Sequence, residues 1–275
     1  MSKSKNKRKK HGETMADKAD RHVLYQEAVQ CVEAEIDFVD ETFKEIRGRH
    51  AVTLREDFCG TANTSCEWVR RRPANRAVGV DLDTEVLAWG EEHNVGALKA
   101  GKDRIELIAE DVLTVQTGQT DAVLAMNFSY WIFRERQQLL GYFKRIRETL
   151  TDDGIFFLDA YGGYDAHKVT KDRHKFDGFS YIWDQAVYHP VTGYMQCHIH
   201  FRFPDGSRMN KAFAYEWRLW SLPEIQELLN EAGFSKVVIY WQGADEDTGE
   251  GDGEFEPETE GDADPAWIVY IVAEK

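Results

Sequence analysis

The sequence predicts an α/β fold, a doubly wound, mostly parallel seven-stranded sheet with helices on both faces. Short apolar runs of strand length alternate with helical patterns along residues 51–160, an order typical of a parallel sheet covered on both sides. A small-residue turn around Gly60 follows the first run, and Asp81 ends the second run. An acid about 20 residues beyond such a turn, at the tip of the second strand, is where this class of fold binds ribose hydroxyls.

The first strand is predicted around Ala51, Val52 and Leu54, and residues 62–72 after the turn have helical character. A helix N-terminus directly behind a strand and a turn offers free backbone N–H groups and the positive end of the helix dipole to an anionic group. A dinucleotide site would require the glycines of G-x-G-x-x-G, and only Gly60 is present. A nicotinamide or flavin dinucleotide is therefore disfavoured.

The remaining elements follow in chain order. Further strands of the main sheet are predicted at 77–81, 105–109, 121–126, 154–160, 237–241 and 267–272. Helices are predicted at 83–94, at 134–150, from Ser221 to Gly233, and before the first strand, where Ile36, Val39, Phe43 and Ile46 share one face. Strands at 178–186, 193–203 and 208–220 form an inserted antiparallel β substructure, 178–220.

Charge is unevenly distributed along this chain of net charge −15. Residues 1–10 carry six basic side chains, and residues 245–264 carry eleven acidic ones and no basic one. We expect 1–16 to be a disordered basic tail and 245–264 to be a solvated, mobile acidic loop. A nucleic-acid arm or nuclear signal is the alternative for the tail, although the acidic body argues against a nucleic-acid partner.

Cysteine spacing and hydropathy indicate a cytoplasmic protein without a membrane anchor. The four cysteines show no C-x-x-C pair, which suggests a reducing compartment, and no apolar run reaches the roughly 18 residues of a membrane span. His198 and His200 share one face of a predicted strand, but no third ligand is evident. Asp245 to Gly249 does not match calcium-loop spacing, so no metal is predicted.

The stretch from Glu56 to Ala62 resembles motif I of the class I S-adenosylmethionine-dependent methyltransferases, D-x-G-C-G-T-G. Glu56 falls on the acid of the motif, residues 59–61 match directly, and Phe58 and Ala62 replace the outer glycines; Asp57 could be the acid instead. The resemblance implies a methyltransferase domain over 51–275, with S-adenosylmethionine as the cofactor. It also implies that residues 17–50 form a helical lid.

Site residues are implied by matching this family motif by motif. The cofactor-binding candidates are Tyr25, Glu56, Asp57, Cys59, Gly60, Asp81, Leu82, Asp111, Val112 and Asn127. The catalytic candidates, mostly at the ends of the fourth and fifth strands, are Asn127, Tyr130, Tyr161 and His198. The candidates for contact with the acceptor are Trp131, Tyr181, Trp183 and Arg218.

These residues favour in-line methyl transfer to a small-molecule acceptor, with nitrogen as the acceptor atom. The end of the fourth strand, Asn127 to Tyr130, keeps the ends of the N-P-P-Y motif of amino methyltransferases but lacks both prolines. The added strands resemble the architecture of glycine- and sarcosine-type N-methyltransferases. Two alternatives remain: methylation of protein or RNA with the help of the basic tail, and a catalytically silent protein that binds S-adenosylmethionine.

Overall fold

The computed structural model describes residues 12–245 and 251–275. The helices are α1 (Met15–Lys18), α2 (Arg21–Val29), α3 (Val32–Arg47), α4 (Asn63–Arg71), α5 (Thr84–Gly90), α6 (Arg136–Thr149) and α7 (Leu222–Ala232). The strands are β1 (Thr53–Asp57), β2 (Arg76–Asp81), β3 (Ile105–Ala109), β4 (Thr120–Ala125), β5 (Leu150–Gly162), β6 (Thr170–Phe176), β7 (Phe179–His189), β8 (Tyr194–Arg202), β9 (Arg208–Arg218), β10 (Lys236–Ala244), β11 (Gly251–Glu258) and β12 (Trp267–Glu274).

The chain folds as two compact units. The larger unit contains residues 31–168, 188–195 and 216–275, and the smaller unit contains 169–187, 196–215 and, of the described N-terminal residues, 12–30. The segment 17–50, predicted as one helical lid, is therefore divided, because α2 belongs to the smaller unit and α3 to the larger. None of the helices in the described ranges is long and apolar enough to cross a membrane.

The larger unit is built on an eight-stranded sheet in the order β11-β10-β12-β5-β4-β1-β2-β3. Strands β1 to β5 pair in parallel, and β12, β10 and β11 add antiparallel pairs at one end. The predicted doubly wound, mostly parallel sheet is confirmed, with eight strands where seven were expected. The strand order reverses between β1 and β4, and such a sheet opens its ligand crevice beyond the carboxyl ends of those strands.

The eighth strand lies inside the segment 245–264 that was predicted to be a mobile acidic loop. Strand β11 pairs antiparallel with β10, and the Phe255 ring packs 4.1 Å from the Tyr270 ring and 5.9 Å from the Phe38 ring. One inward aromatic side chain among outward acids is enough to anchor this edge strand. The loop prediction is wrong for 251–258, and residues 246–250 lie outside the described residues.

Helix α3 covers one face of the sheet, as its apolar pattern predicts. Ile36, Val39 and Phe43 are fully buried, and the helix ends at Gly48, which adopts φ 67°. They belong to one core cluster with sheet residues such as Leu54 and Phe157. The carboxyl ends of β1, β4 and β5 are thus covered by α3 on one side.

The smaller unit contains a four-stranded sheet in the order β6-β7-β8-β9, together with α1 and α2. Strand β6, which pairs antiparallel with β7, was not predicted, because its exposed and mostly charged residues carry no apolar alternation. Cys197, Ile199 and Phe201 are buried as expected, but His198 on the opposite face is buried too. Of the predicted disordered tail 1–16, residues 1–11 lie outside the described residues, whereas Met15 and Ala16 are helical behind the capping residue Thr14.

Candidate functional site

The turn between β1 and α4 has an unusual backbone. Phe58, Gly60 and Ala62 adopt φ values of 57°, 51° and 55°, in the left-handed region that favours glycine. An L-residue there costs about 1–2 kcal/mol, so its surroundings must enforce the conformation. Phe58 packs against Phe133 and Tyr142 with ring centroids about 6 Å away, and Ala62 is fully buried. The two residues that replace the outer glycines therefore keep a glycine-like backbone.

Hydrogen bonds tie this turn to the tip of β2. The Gly60 N–H donates to Asp81 Oδ2 over 2.8 Å, the Asp83 N–H donates to Asp81 Oδ1 over 2.9 Å, and the Cys59 N–H donates to the Val80 carbonyl. The Cys59 side chain fills the space beside Gly79, where an added Cβ would lie 2.9 Å from Sγ. Burial raises the pKa of the Cys59 thiol, so the side chain stays protonated at neutral pH.

Two residues that the sequence reasoning missed fix the turn from the side of α5. An added Cβ at Gly90 would lie 2.5 Å from the Thr61 carbonyl oxygen, and Asn94 Nδ2 donates to that same oxygen over 2.8 Å. A glycine within a predicted helix, at 83–94, was the signal that could have identified this close contact.

The two acids at the end of β1 point to opposite faces of the sheet, because alternate strand residues do. Glu56 Oε2 accepts from the Ser65 N–H over 2.9 Å and from the Ser65 hydroxyl, at the N-terminus of α4. Burial raises the pKa of Glu56 to about 7. Asp57 accepts from Arg55 Nε over 2.6 Å and from the Tyr142 hydroxyl over 2.9 Å. Asp57 is thus engaged on the α6 side, and Glu56 is the acid that supports the turn and its helix.

The tips of β2 and β3 lie side by side in the sheet. Leu82, directly after Asp81, is 67% exposed, an unusual position for a large apolar side chain. Two residues beyond the end of β3, Asp111 Oδ1 accepts from the Leu113 N–H over 2.9 Å. Val112 is buried, and its carbonyl accepts from Arg55 Nη2. Two carboxylates and one exposed apolar side chain therefore line neighbouring strand ends.

The chain bends sharply after β4, where Asn127 and Phe128 adopt φ values of 59° and 58°. Asp159 of β5 holds this bend, since its two oxygens accept from the Asn127 and Phe128 N–H groups, each over 2.8 Å. Burial raises the pKa of Asp159 to about 7. Asp159 was not predicted as a site residue, although a single acid in the otherwise apolar run 155–160 was a signal for it.

Tyr130, a catalytic candidate, and Trp131, a candidate for contact with the acceptor, are both fully buried, and their predicted roles stay predictions. The Tyr130 hydroxyl donates to the Asp159 carbonyl oxygen over 2.7 Å, and the side chain is fully buried. Trp131 is also fully buried, with the rings of Phe128, Tyr161 and Trp217 centred 4.9 to 6.0 Å away. Both residues therefore stabilise the bend at Asn127 and Phe128, Tyr130 through Asp159 and Trp131 through the Phe128 ring. Tyr161 keeps some exposed surface beside Phe128, at a ring distance of 4.7 Å.

Arg218 was predicted to clamp an acceptor carboxylate, but its guanidinium is already engaged. Nη2 lies 2.7 Å from Glu224 Oε1, Nη1 donates to the Arg134 carbonyl, and the group stacks 3.7 Å from the Trp220 ring centroid. Glu224 also closes the capping box of α7 with Ser221. Arg218 therefore stabilises the start of α7, and its predicted contact with the acceptor stays a prediction.

No protein-family model matches this chain, and no curated protein matches it in sequence. Solved structures do match. A S-adenosylmethionine-dependent methyltransferase from Clostridium acetobutylicum superposes with a TM-score of 0.65 at 17% identity, covering 92% of this chain and 96% of that one. An amino pentose methyltransferase of calicheamicin biosynthesis from Micromonospora echinaspora, with S-adenosylmethionine bound, gives 0.65 at 14%, covering 96% and 100%. A sugar N-methyltransferase from a Streptoalloteichus species gives 0.62 at 16%, covering 100% and 98%.

The fold is that of these methyltransferases. At 14 to 17% identity the likeness establishes the fold alone. The fold resemblance implied by the turn at Gly60 is confirmed, and the three superpositions cover 92 to 100% of this chain.

Three further candidates lie in the smaller unit of this methyltransferase fold. Tyr25 packs on Phe213 with ring centroids 4.8 Å apart, and Tyr181 and Trp183 pack around the same buried cluster, which includes Phe201. Burial raises the pKa of Tyr181, so its hydroxyl stays protonated at neutral pH. The predicted contacts of these three residues with the cofactor or the acceptor stay predictions.

His198, predicted as catalytic, is only 3% exposed and belongs to a polar group on β7 and β8 with Asp184 and His200. Burial lowers the pKa of His198, which is therefore neutral at pH 7. His200 Nε2 lies 3.1 Å and Lys171 Nζ 2.8 Å from the same oxygen, Asp184 Oδ2. His198 is thus a buried neighbour of an ion pair.

Asp184, His198 and His200 each offer one potential ligand atom, and these atoms lie within 4.8 Å of one another, as a metal site requires. The Lys211 N–H donates to His200 Nδ1, however, so Nδ1 is an acceptor and Nε2, the atom that faces Asp184, carries a proton. Metal-bound imidazole needs that nitrogen unprotonated, and the Lys171 ammonium already neutralises the carboxylate. The hydrogen bonding of this cluster does not suit a metal ion.

Proposed function

We propose that this chain is an S-adenosylmethionine-dependent methyltransferase that acts on a nitrogen atom of a small-molecule acceptor. The observation that carries the proposal is the turn from Phe58 to Ala62, which holds three left-handed residues between β1 and α4. It stands at the point of strand reversal in a fold shared with methyltransferases over nearly the whole chain. The two missing glycines are no argument for a silent protein, because their replacements keep the backbone shape.

The side chains at the strand tips fit a charged nucleoside. Each Asp81 oxygen accepts one backbone N–H and keeps a lone pair for a ribose hydroxyl. Leu82 offers an exposed apolar surface for the face of a base, and Asp111 uses one oxygen on Leu113 and can accept from an amino group with the other. When bound, the sulfonium supplies an electrophilic methyl group.

The chain's task in such a reaction is to align the two partners and exclude water. Alignment of an in-line displacement at about 3 Å can contribute several kcal/mol to the rate, without a metal and without a covalent enzyme intermediate. The bend held by Asp159 places Asn127, Phe128 and Tyr161 at the ends of β4 and β5, beside the reversal point. Nitrogen and a small acceptor are supported by the neighbours described as an amino pentose and a sugar N-methyltransferase, and by the acidic body, which disfavours RNA.

Titration calorimetry with S-adenosylmethionine tests the cofactor assignment. Asp81→Asn should weaken binding about 10- to 150-fold, the cost of about 1.5–3 kcal/mol for hydrogen bonds to a charged group. Asp103→Asn, the same change at an exposed acid, should bind like the wild type. Unchanged affinity in Asp81→Asn would remove Asp81 from the site, and tight NAD binding instead would reject the proposal.

A screen of amines, alcohols, thiols, peptides and RNA, scored by release of S-adenosylhomocysteine, tests the acceptor. We expect turnover on small amines that survives deletion of residues 1–11. Turnover on RNA or protein that disappears with this deletion would reject the small-molecule acceptor. Tight S-adenosylmethionine binding without turnover on any class would support a silent binding protein.

A further inference from the structure

Glu35 is a buried carboxyl group that the proposed cofactor contacts do not use. It lies in the first turns of α3 and is 7% exposed. The Cys31 N–H donates to its carboxylate, while the other oxygen, Oε2, is buried without a hydrogen-bond partner. A buried unpaired carboxylate oxygen is costly and is rarely kept without a ligand or a functional reason.

Glu35 faces two other buried acids. Glu56 stands two residues after Leu54 on β1, and Asp159 stands two residues after Phe157 on β5, so each points to the same face as its apolar neighbour. Leu54 and Phe157 both belong to the core cluster that includes Ile36 of α3. The three carboxyl groups therefore lie under α3 at the carboxyl ends of β1 and β5.

This region carries excess negative charge. Among residues 12–245 and 251–275, none of the three acids forms an ion pair with a lysine, arginine or histidine. Burial together with the Asp159 charge raises the pKa of Glu35 to about 7, and burial, with smaller contributions from the Glu35 and Asp159 charges, raises the pKa of Tyr270 on β12. A cation placed here would remove the repulsion and satisfy Oε2.

We propose that Glu35, through Oε2, binds the ammonium group of a cationic amine acceptor at the reaction centre. This inference rests on the proposed methyltransferase function and narrows its substrate class to amines that bind in the protonated form. With a lone pair free on Oε2, Glu35 can also take one ammonium proton: the N–H bond breaks, its electron pair stays on nitrogen, and an O–H bond forms on Glu35. The nitrogen lone pair then forms an N–C bond to the methyl carbon, while the methyl–sulfur bond breaks and its electron pair goes to sulfur.

The donor sulfonium is also an organic cation, so the experiment must separate the two sources. Three probes do this without knowledge of the acceptor. S-adenosylhomocysteine has a neutral sulfur, S-adenosylmethionine has a cationic sulfur, and sinefungin carries an ammonium group where the transferred methyl would be. Calorimetric affinities of all three are measured for the wild type, Glu35→Gln, Glu35→Asp and Glu41→Gln, an exposed glutamate on the same helix.

We expect Glu35→Gln to weaken sinefungin about 10- to 100-fold, the loss of one charge-assisted hydrogen bond, and to leave S-adenosylhomocysteine within about 3-fold. The affinity for S-adenosylmethionine should change as little as that for S-adenosylhomocysteine, because its positive charge is on sulfur, one bond short of the methyl position at which sinefungin carries its ammonium group. Glu35→Asp keeps the charge and should retain part of the preference for sinefungin. Glu41→Gln should match the wild type for all three.

Each contrary result has its own meaning. Equal losses of sinefungin and S-adenosylmethionine would assign Glu35 to the sulfonium and overturn the acceptor assignment. Equal losses of all three probes, or no losses, would show that Glu35 recognises no cation. A wild-type protein that binds none of the probes would refute the proposed function, and this inference with it. If Glu35→Gln does not fold, the ratio measured for Glu35→Asp against the wild type decides in the same way.

Discussion

Replacing Gly90 by alanine should disturb the turn at Thr61 from the side of α5. An added Cβ would lie 2.5 Å from the Thr61 carbonyl oxygen, 2.8 Å from its carbonyl carbon and 2.9 Å from its Cα. All three are backbone atoms, so no side chain can rotate away, and the helix or the turn must move by several tenths of an ångström. Overpacking of this kind costs about 1–3 kcal/mol.

Gly141→Ala is the matched control, because Gly141 is an exposed glycine inside α6 with nothing within 4 Å of an added Cβ. It should stabilise the protein by about 0.5–1 kcal/mol through helix propensity alone. Urea unfolding should show a lower free energy of unfolding for Gly90→Ala and a higher one for Gly141→Ala than for the wild type. Calorimetry with S-adenosylmethionine should show at least a several-fold loss of affinity for Gly90→Ala, because Thr61 belongs to the turn proposed to bind the cofactor, and no loss for Gly141→Ala. A Gly90→Ala protein as stable and as tightly binding as the wild type would refute the reasoning.

Two further predictions concern stability. The folded-state pKa of Glu35, about 7, lies above its ordinary value of 4.5, so its contribution to stability is present at low pH and lost as the pH rises from about 4 to about 7. Urea unfolding of Glu35→Gln across that window should show a shallower fall than the wild type, and an identical fall would contradict the raised pKa. Phe255→Ala should cost about 2 kcal/mol, because the ring packs on Tyr270 and Phe38. If the free energy of unfolding of Phe255→Ala equals that of the wild type within error, Phe255 does not anchor residues 251–258 to the sheet.

Local signals explain what could be predicted of the fold. Ile36, Val39 and Phe43 on one face and Gly48 at the end predict helix α3, and the capping box at Ser221 predicts α7. Strands β2 to β4 and residues 155–160 of β5 are short, mostly apolar runs between turns. Each of these features depends on neighbours within a few residues, so one sequence is sufficient to find it.

The features that were missed depend on contacts between distant parts of the chain. Strand β6 is charged and stands at a sheet edge, so only its pairing with β7 makes it a strand. The roles of Glu35 and Asp159 follow from α3 lying over β5, more than 100 residues away in sequence. Tyr130 turned out to be enclosed because the two left-handed residues before it redirect the chain. Composition and spacing do not reveal such a redirection.

The shape of the turn at Phe58 depends on its neighbours and not on its own residues. In a glycine-rich turn the backbone adopts its conformation freely, whereas here the Phe58 ring must stay against Phe133 and Tyr142 to hold φ at 57°. The Tyr142 hydroxyl in turn donates to Asp57. A substitution of Tyr142 in α6 would therefore disturb both the Phe58 ring and the Asp57 carboxylate beside the turn. A motif can thus persist as a backbone conformation without its usual amino acids, and a comparison of sequences alone does not detect it.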